Sequence, residues 1–363
     1  VASKWLEVGQ YGQSVWYDNV ARPAVETGLL AKIMVEDGVT GGTSNPSIFA
    51  KNLEDTAVYD AAINAFPADA TAAQIFEPLW IQDIQAACDV MRPAYDASNG
   101  ADGFISIEVE ADLAFDTPNT VTRAQELYAA VDRPNVLVKV PGTKPGIESV
   151  RQLTAQGISI NVTLLFSVER YHEIASAYVA GMAERLAAGK PVTGIQSVAS
   201  FFVSRIDTKV DALLPEGSAL RGQTAVANAK LAYADVYQAI FDHDERWQAV
   251  EAAGGARQRP LWASTSTKNP DYPSCIYVDE LIGPDTVNTV PDATLEAFRT
   301  EGNPAARLTE DVAGARAVMQ GIADAGIDFA ACTKELEDEG VAQFQKAYEG
   351  MLDAITKRHS AIQ

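Results

Sequence analysis

The sequence predicts a single (β/α)8 barrel over residues 1–363. Three observations lead there. Eight short β-branched runs alternate with Ala-rich stretches of helical period, the order expected of a parallel α/β fold. Each clear run sets aliphatic residues on one face and polar residues on the other. The polar residues gather toward the C-terminal ends of the runs. An open doubly wound sheet shares the alternation, but strands covered by helices on both faces read as almost wholly apolar. A barrel with its reactive mouth at the strand C-termini accounts for the polar face.

The predicted strands are 14–18, 39–43, 104–109, 136–140, 158–164, 197–203, 260–265 and 286–290. Helical periodicity falls over 120–130, 168–186, 224–241 and 309–325. Two longer helical stretches interrupt the repeat, at about 53–100 and about 206–258. The first is predicted to be an extra helix pair and the second an extended crossover, both insertions within one domain. A last helix, about 334–356, is predicted to fold back over the barrel, with a dimer contact as its alternative. In the third strand Ile105 and Ile107 alternate with Ser106 and Glu108. In the fourth, valines take one face while Leu137 and Lys139 take the other. Aliphatic residues alternate with Ser159, Asn161 and Thr163 in the fifth, and Ser200 shares a face with Phe202 in the sixth.

Composition narrows the function. The chain is 47% apolar, enough for a sizeable core, and only 21% charged, with no low-complexity stretch. Its apolar runs fall far short of the roughly 20 residues that cross a bilayer. No basic-then-apolar leader opens the chain, so a cytoplasmic protein is expected. Cys88, Cys275 and Cys332 lack redox or metal spacing and read as reduced, packed thiols. A net charge of −21 argues against nucleic acid and anionic membranes as partners. It does not exclude a phosphorylated substrate, because a few local cations outweigh a diffuse negative surface.

Lys139 stands within Val-Leu-Val-Lys-Val-Pro. Desolvation disfavours the ammonium form and favours a neutral amine able to attack a carbonyl. The ordinary alternative is a lysine paired with a buried carboxylate or reaching out from a strand end. Pro141-Gly142-Thr143 ends the strand just beyond it, which puts the lysine near the barrel mouth. Glu108 and Asp18 also lie near strand C-termini and suit proton transfer around that amine; ion pairing is their alternative role. Glu108, Glu110 and Asp112 admit a magnesium reading. His172, His243 and His359 are scattered, which is poor material for zinc. Gly38-Val39-Thr40-Gly41-Gly42-Thr43 lacks a Walker ending, and no dinucleotide fingerprint follows a strand, so neither metal nor cofactor is expected. Arg205 and Lys268 follow the sixth and seventh strands, where they could clamp a phosphate with Ser264 or Ser266. The alternative there is surface charge, with Arg205 paired to Asp207.

Together these segments resemble the transaldolase family. The residues that carry the likeness are Gly38-Val39-Thr40, Thr43-Ser44-Asn45-Pro46-Ser47, Ser106-Ile107-Glu108-Val109 and Val138-Lys139-Val140-Pro141. Asn161-Val162-Thr163-Leu164-Leu165-Phe166-Ser167 and Ser200-Phe201-Phe202-Val203-Ser204-Arg205-Ile206-Asp207 continue it in order, and Pro291-Asp292-Ala293-Thr294 follows. The resemblance implies a TIM barrel of the class I aldolase kind, circularly permuted, acting in the pentose phosphate pathway. Lys139 would form a Schiff base with C2 of fructose 6-phosphate or sedoheptulose 7-phosphate. Glu108 would assist through a water held by Thr163, and Asp18 would take the C4 hydroxyl proton. The dihydroxyacetone unit would then pass to glyceraldehyde 3-phosphate or erythrose 4-phosphate. Asn45, Asn161 and Ser200, with Thr43 beside them, match positions that hold the fragment's hydroxyls. Arg205 matches a phosphate-binding position, and Phe202 an aromatic near the catalytic water.

The sequence departs from the shorter members in two places. They carry Ser-Phe-Arg after the seventh strand, whereas this chain reads Ala263-Ser264-Thr265-Ser266-Thr267-Lys268-Asn269, with Lys268 in the arginine's role. The pair Gly41-Gly42 is the other departure. This pattern resembles a longer bacterial subgroup. The rival readings are a fructose 6-phosphate aldolase, a magnesium-dependent barrel enzyme and a non-catalytic binder. Chain length and Phe202 favour transfer over net cleavage. A monomer or homodimer is expected.

Overall fold

The computed structural model describes residues 3–362. Eight parallel strands close into a barrel in sequence order. They are β1 (Gln13–Tyr17), β2 (Val39–Thr43), β3 (Ile105–Glu108), β4 (Val136–Pro141), β5 (Ile160–Leu165), β6 (Ser197–Phe202), β7 (Gln258–Ala263) and β8 (Thr286–Val290). Closure leaves no sheet edge, so every strand finds hydrogen-bond partners on both sides. The second and eighth strands match the sequence reading residue for residue. β7 is displaced toward the N-terminus of its predicted span. Gln258 extends it by donating through Nε2 to Ser197 Oγ at 2.9 Å, and Ser264 ends it by turning to φ +55°.

The helices surround this barrel. Thr117–Val131 and Val168–Ala187 begin at side-chain caps, where Asp116 accepts from Asn119 N and Ser167 from Arg170 N. The stretch predicted as one helix over 224–241 is three pieces, because a π turn at Tyr233–Gln238 separates Thr224–Ala232 from Ala239–His243. Between β2 and β3 the insertion at about 53–100 holds the helices Asp60–Asn64 and Ala72–Ala97, and Pro46–Asp55 precedes them directly after β2. The final helix, Phe329–Ile362, is longer at both ends than expected. It folds back across Pro46–Asp55 and Ala72–Ala97 and over the end of β5.

Two local features place the site. The backbone of β5 bulges between Val162 and Leu165, and Leu164 takes φ +65°. Such a conformation costs a leucine on the order of 1–3 kcal/mol, and close packing of Leu164 against Gly340 of the final helix helps to hold it. Gly41 and Gly42 sit where β2 has no space for side chains. A Cβ at Gly41 would meet the Trp16 indole at 2.6 Å, and one at Gly42 would meet Val20 at 2.4 Å. The glycine pair is therefore a packing requirement of this barrel.

Near the N-terminal ends of the strands, Asp102 gathers the interior donors. Trp16 Nε1 donates to it at 2.9 Å and Thr40 Oγ1 at 2.7 Å, and Ser14 Oγ donates as well. Arg259 closes the cluster through Ser14 Oγ at 2.6 Å and the Thr286 carbonyl at 2.7 Å. Asp102→Ala would strand all three donors. The expected loss of unfolding free energy is about 3 kcal/mol, measured by urea denaturation.

Candidate active site

The C-terminal ends of the strands surround a cavity of about 250 Å³. Asp18, Thr43, Asn45, Lys139, Thr163, Ser200, Phe202, Arg205, Ser264, Ser266 and Lys268 line it. Of the catalytic and substrate-binding residues that the family resemblance implies, only Glu108 and Asn161 are not on its wall. Both lie one step behind it.

Lys139 stands in register between Glu108 of β3 and Asn161 of β5. Period-two alternation turns all three side chains into the barrel. Lys139 is 6% exposed, and its Nζ lies 3.4 Å from Glu108 Oε1. Burial pushes the Glu108 carboxyl above its ordinary range; the Lys139 charge opposes that shift, and Asp18 adds to it. Among the described residues Glu108 Oε2 and Thr163 Oγ1 find no hydrogen-bond partner. A second cavity, about 20 Å³, adjoins both residues and is closed by Phe344 and Tyr348 of the final helix. Phe202 lines the main cavity with Thr163, its ring tilted 41° to Phe166 at a centroid distance of 5.2 Å and lying under the Arg205 guanidinium at 5.4 Å.

Asn161 forms the floor. Its Nδ2 donates to Ser106 Oγ at 3.0 Å, and its Oδ1 accepts from Ser200 Oγ at 2.6 Å. The chain Ser106–Asn161–Ser200 spans three strands and fixes the Ser200 hydroxyl beneath the cavity. Asn45 has a divided role. Its Oδ1 caps the helix Pro46–Asp55 by accepting from Ile48 N at 3.0 Å, which leaves its Nδ2 for the cavity. On the opposite wall, Thr43 Oγ1 donates to Asp18 Oδ1 at 2.6 Å and lies 2.7 Å from Thr289 Oγ1. A threonine hydroxyl has one proton, so Thr289 must be the donor to Thr43.

Arg205 does not pair with Asp207. Its Nη1 donates to Gln343 of the final helix at 2.9 Å, and burial lowers its pKa from the usual arginine value. Lys268 Nζ donates to Ser266 Oγ at 2.7 Å. Nor do the three acidic residues of the magnesium reading converge: Glu110 is taken by Arg123 at 3.0 Å. Among the described residues no group of three His, Cys, Asp or Glu side chains is placed to hold a metal.

Sequence reasoning did not assign Thr289, Pro291 or Phe344 to the site, although all three line the cavity and Pro291 opens a segment that carries the family likeness. Thr289 stood in a recognised strand, next to its C-terminal end, and the mouth rule alone could have found it. Phe344 had no such signal. Its ring centroid lies 5.3 Å from Lys139 Nζ, but only the tertiary path of the final helix brings it there.

Comparison with known proteins gives this geometry a context. Residues 15–355 match a family described as Transaldolase/Fructose-6-phosphate aldolase. The chain is 43% identical to "Transaldolase 2" of Nostoc punctiforme, with 96% of each chain covered. It is 44% identical to "Transaldolase" of Thiobacillus denitrificans, covering 96% of this chain and 98% of that one. Identity to "Transaldolase" of Thermobifida fusca is 41%, over 99% and 100% respectively.

Phe344 covers Lys139, so Phe344→Ala should open the mouth. Modification of Lys139 by an amine-acylating reagent is expected to become several-fold faster, followed by peptide mass spectrometry. An unchanged rate would show that other groups shield the lysine.

Proposed function

The chain belongs to the transaldolase/fructose-6-phosphate aldolase family, and from that premise we propose that it works as a transaldolase through a Schiff base on Lys139. The observation that carries the reading is Lys139 itself, enclosed beside Glu108 at the mouth of the barrel. Its amine adds to C2 of a ketose phosphate, fructose 6-phosphate or sedoheptulose 7-phosphate, to give a carbinolamine. Loss of water from that adduct leaves an iminium.

Glu108 and Thr163 serve this dehydration and its reversal. Their unpartnered oxygens adjoin a cavity of about 20 Å³, which is room for one water. A water bridged between them can carry a proton to the departing hydroxyl and later attack the imine. Asp18 then takes the proton of the C4 hydroxyl. The C3–C4 bond breaks, its electron pair flows into the iminium, and an aldose phosphate leaves. The dihydroxyacetone fragment stays on Lys139 as an enamine. Its C3 attacks the aldehyde carbon of glyceraldehyde 3-phosphate or erythrose 4-phosphate, Asp18 returns the proton, and hydrolysis frees the new ketose. Thr43, held by Thr289, keeps a proton directed at one Asp18 oxygen and leaves the other for substrate.

Asn45 and Ser200 suit the fragment's hydroxyls, with Asn161 fixing Ser200 from behind. Arg205 and Lys268 suit the phosphate, with Ser264 and Ser266 as hydroxyl donors. Transfer requires that water not discharge the enamine first. Phe344 above Lys139 and Phe202 on the wall supply apolar cover for that purpose. Three free, buried cysteines support the reducing cytoplasm as the place of action.

Borohydride added during incubation with fructose 6-phosphate should leave a reduced three-carbon adduct on the Lys139 peptide, located by mass spectrometry. No adduct on an active, folded preparation would defeat the lysine mechanism. Free dihydroxyacetone should accumulate little, and aldose exchange should depend on added erythrose 4-phosphate. Rapid release without acceptor would instead favour a fructose 6-phosphate aldolase. The pH profile tests Glu108. As the Lys139 amine adds to C2, the ionised Glu108 takes through the water the proton that leaves the nitrogen, and it returns that proton to the departing hydroxyl. The kcat/KM therefore falls as pH drops through its raised pKa, placing the acid limb above that of an ordinary glutamate. Glu108→Gln should remove that limb and lower kcat by about 100- to 10,000-fold.

A further inference from the structure

The segment 264–275 after β7 carries Ser264, Ser266 and Lys268 to the cavity without regular secondary structure of its own. The helix Ser204–Asp211 after β6 carries Arg205. Two carboxylates on that helix, one turn apart, face the β7 segment. Asp211 Oδ2 accepts from the Tyr272 hydroxyl at 2.6 Å, and its Oδ1 accepts from Gly222 N at 3.0 Å. Asp207 Oδ2 accepts from the Tyr277 hydroxyl at 2.8 Å, and its Oδ1 from Ala225 N at 2.7 Å. Both carboxylates are buried. The near end of the segment is tied to the same helix: Ser204 N donates to the Ser264 carbonyl at 3.0 Å, and the two hydroxyls lie 3.0 Å apart. The Tyr272 ring also packs on Gly222, where φ is +72° and a Cβ would meet the ring at 2.8 Å.

The geometry points to Tyr272–Asp211 and Tyr277–Asp207 as a clamp that sets the distance between Arg205 and Lys268, and so governs the affinity for the phosphate of the sugar. This rests on the assignment of Arg205 and Lys268 to that phosphate. The physical case begins with cost. Burial pushes the Asp207 carboxyl up to about 6, and Asp211 beside it adds to the shift. Two neighbouring buried carboxylates are an expensive way to stabilise a fold, since apolar residues of similar size would pack there without desolvation. One oxygen of each holds the backbone at Gly222 or Ala225, and the other holds a tyrosine, Tyr272 in the segment and Tyr277 in the short helix Ile276–Asp279 that follows it. What that secures is order in a stretch that would otherwise lose conformational freedom only when substrate arrives. Two cations held at a fixed separation bind a phosphate without that entropic loss. Neither tyrosine touches the cavity, so the clamp acts through Arg205 and Lys268, and its four members are positioning residues.

The test compares a phosphorylated donor with an unphosphorylated one. Tyr272→Phe keeps the half-buried ring and removes the hydroxyl. It should raise KM for fructose 6-phosphate, and the inhibition constant of inorganic phosphate, by about tenfold, the loss of one hydrogen bond to a charged group passed partly to binding. The kcat at saturation, and borohydride trapping with fructose, should stay as in the unaltered chain. Asp211→Asn provides the same comparison from the helix side. Damage to the fold alone would lower the rate with both donors alike, and that outcome overturns the clamp. Arg205→Ala separates the two layers of inference. If it raises KM for fructose 6-phosphate and weakens phosphate inhibition while Tyr272→Phe and Asp211→Asn do neither, the phosphate assignment stands and the clamp falls. If Arg205→Ala also leaves phosphate inhibition unchanged, the phosphate assignment falls and takes the clamp with it.

Discussion

A lysine nitrogen enclosed by protein loses hydration that no apolar contact replaces. Lys139 is enclosed in this way, and the rest of the site can be understood as what makes that enclosure tolerable and useful. Glu108 supplies the compensating charge at 3.4 Å, from the neighbouring strand in register. Burial in turn raises the Glu108 pKa, so the carboxyl is poised closer to neutrality than a free glutamate. The Lys139 charge opposes that rise, so the titration of Glu108 is set by burial acting against its neighbour. A (β/α)8 barrel suits this arrangement because adjacent parallel strands bring side chains of one face to the same level. No loop rearrangement is needed to bring the pair together.

The layers on either side of the pair follow from the same constraint. Polar atoms at this depth must find partners, and below Lys139 they do so across strands, through Ser106, Asn161 and Ser200. That floor is rigid because each amide atom of Asn161 is committed. Above Lys139 the cover is aromatic and comes from the far end of the chain, in Phe344. Between floor and cover, the bulge in β5 sets Thr163 at the boundary of both cavities. The strain at Leu164 is local, and the final helix that packs on it is the element that brings Phe344 over the lysine.

Much of this was legible in the sequence because the governing rules are local. Period-two alternation identified the interior faces of β3, β4 and β5, and with them Glu108, Lys139, Asn161 and Thr163. Strand limits were read to within about two residues, and they failed where a side chain or a backbone turn decided the end, as with Gln258 and Ser264 in β7. What sequence could not supply was long-range. The helix Phe329–Ile362 has an apolar face, but nothing in its periodicity names the partner of that face. Phe344, Gln343 and Tyr348 reach the mouth only because that helix crosses it. Arg205 illustrates the same limit: its near neighbour Asp207 was a reasonable partner by spacing, yet the buried helix turns Asp207 toward Tyr277 and leaves Arg205 to Gln343.

The strong acidity of the chain is at odds with an anionic substrate only if charge is summed over the whole molecule. At physiological ionic strength the Debye length is about 8 Å, so exposed carboxylates farther away contribute little at the mouth. Many are also answered locally, as Glu77 and Glu110 are by Arg123, or Asp89 by Arg133. Within the cavity wall the cations are Lys139, Arg205 and Lys268, against Asp18 alone. Arg205 is partly desolvated, which strengthens its attraction for any charge that enters. Its hydrogen bond goes to the neutral Gln343, so no carboxylate has to be displaced before a phosphate can bind. A diffuse negative surface and a locally positive mouth are thus compatible, and the short range of the mouth's field confines its selectivity to ligands that have already entered.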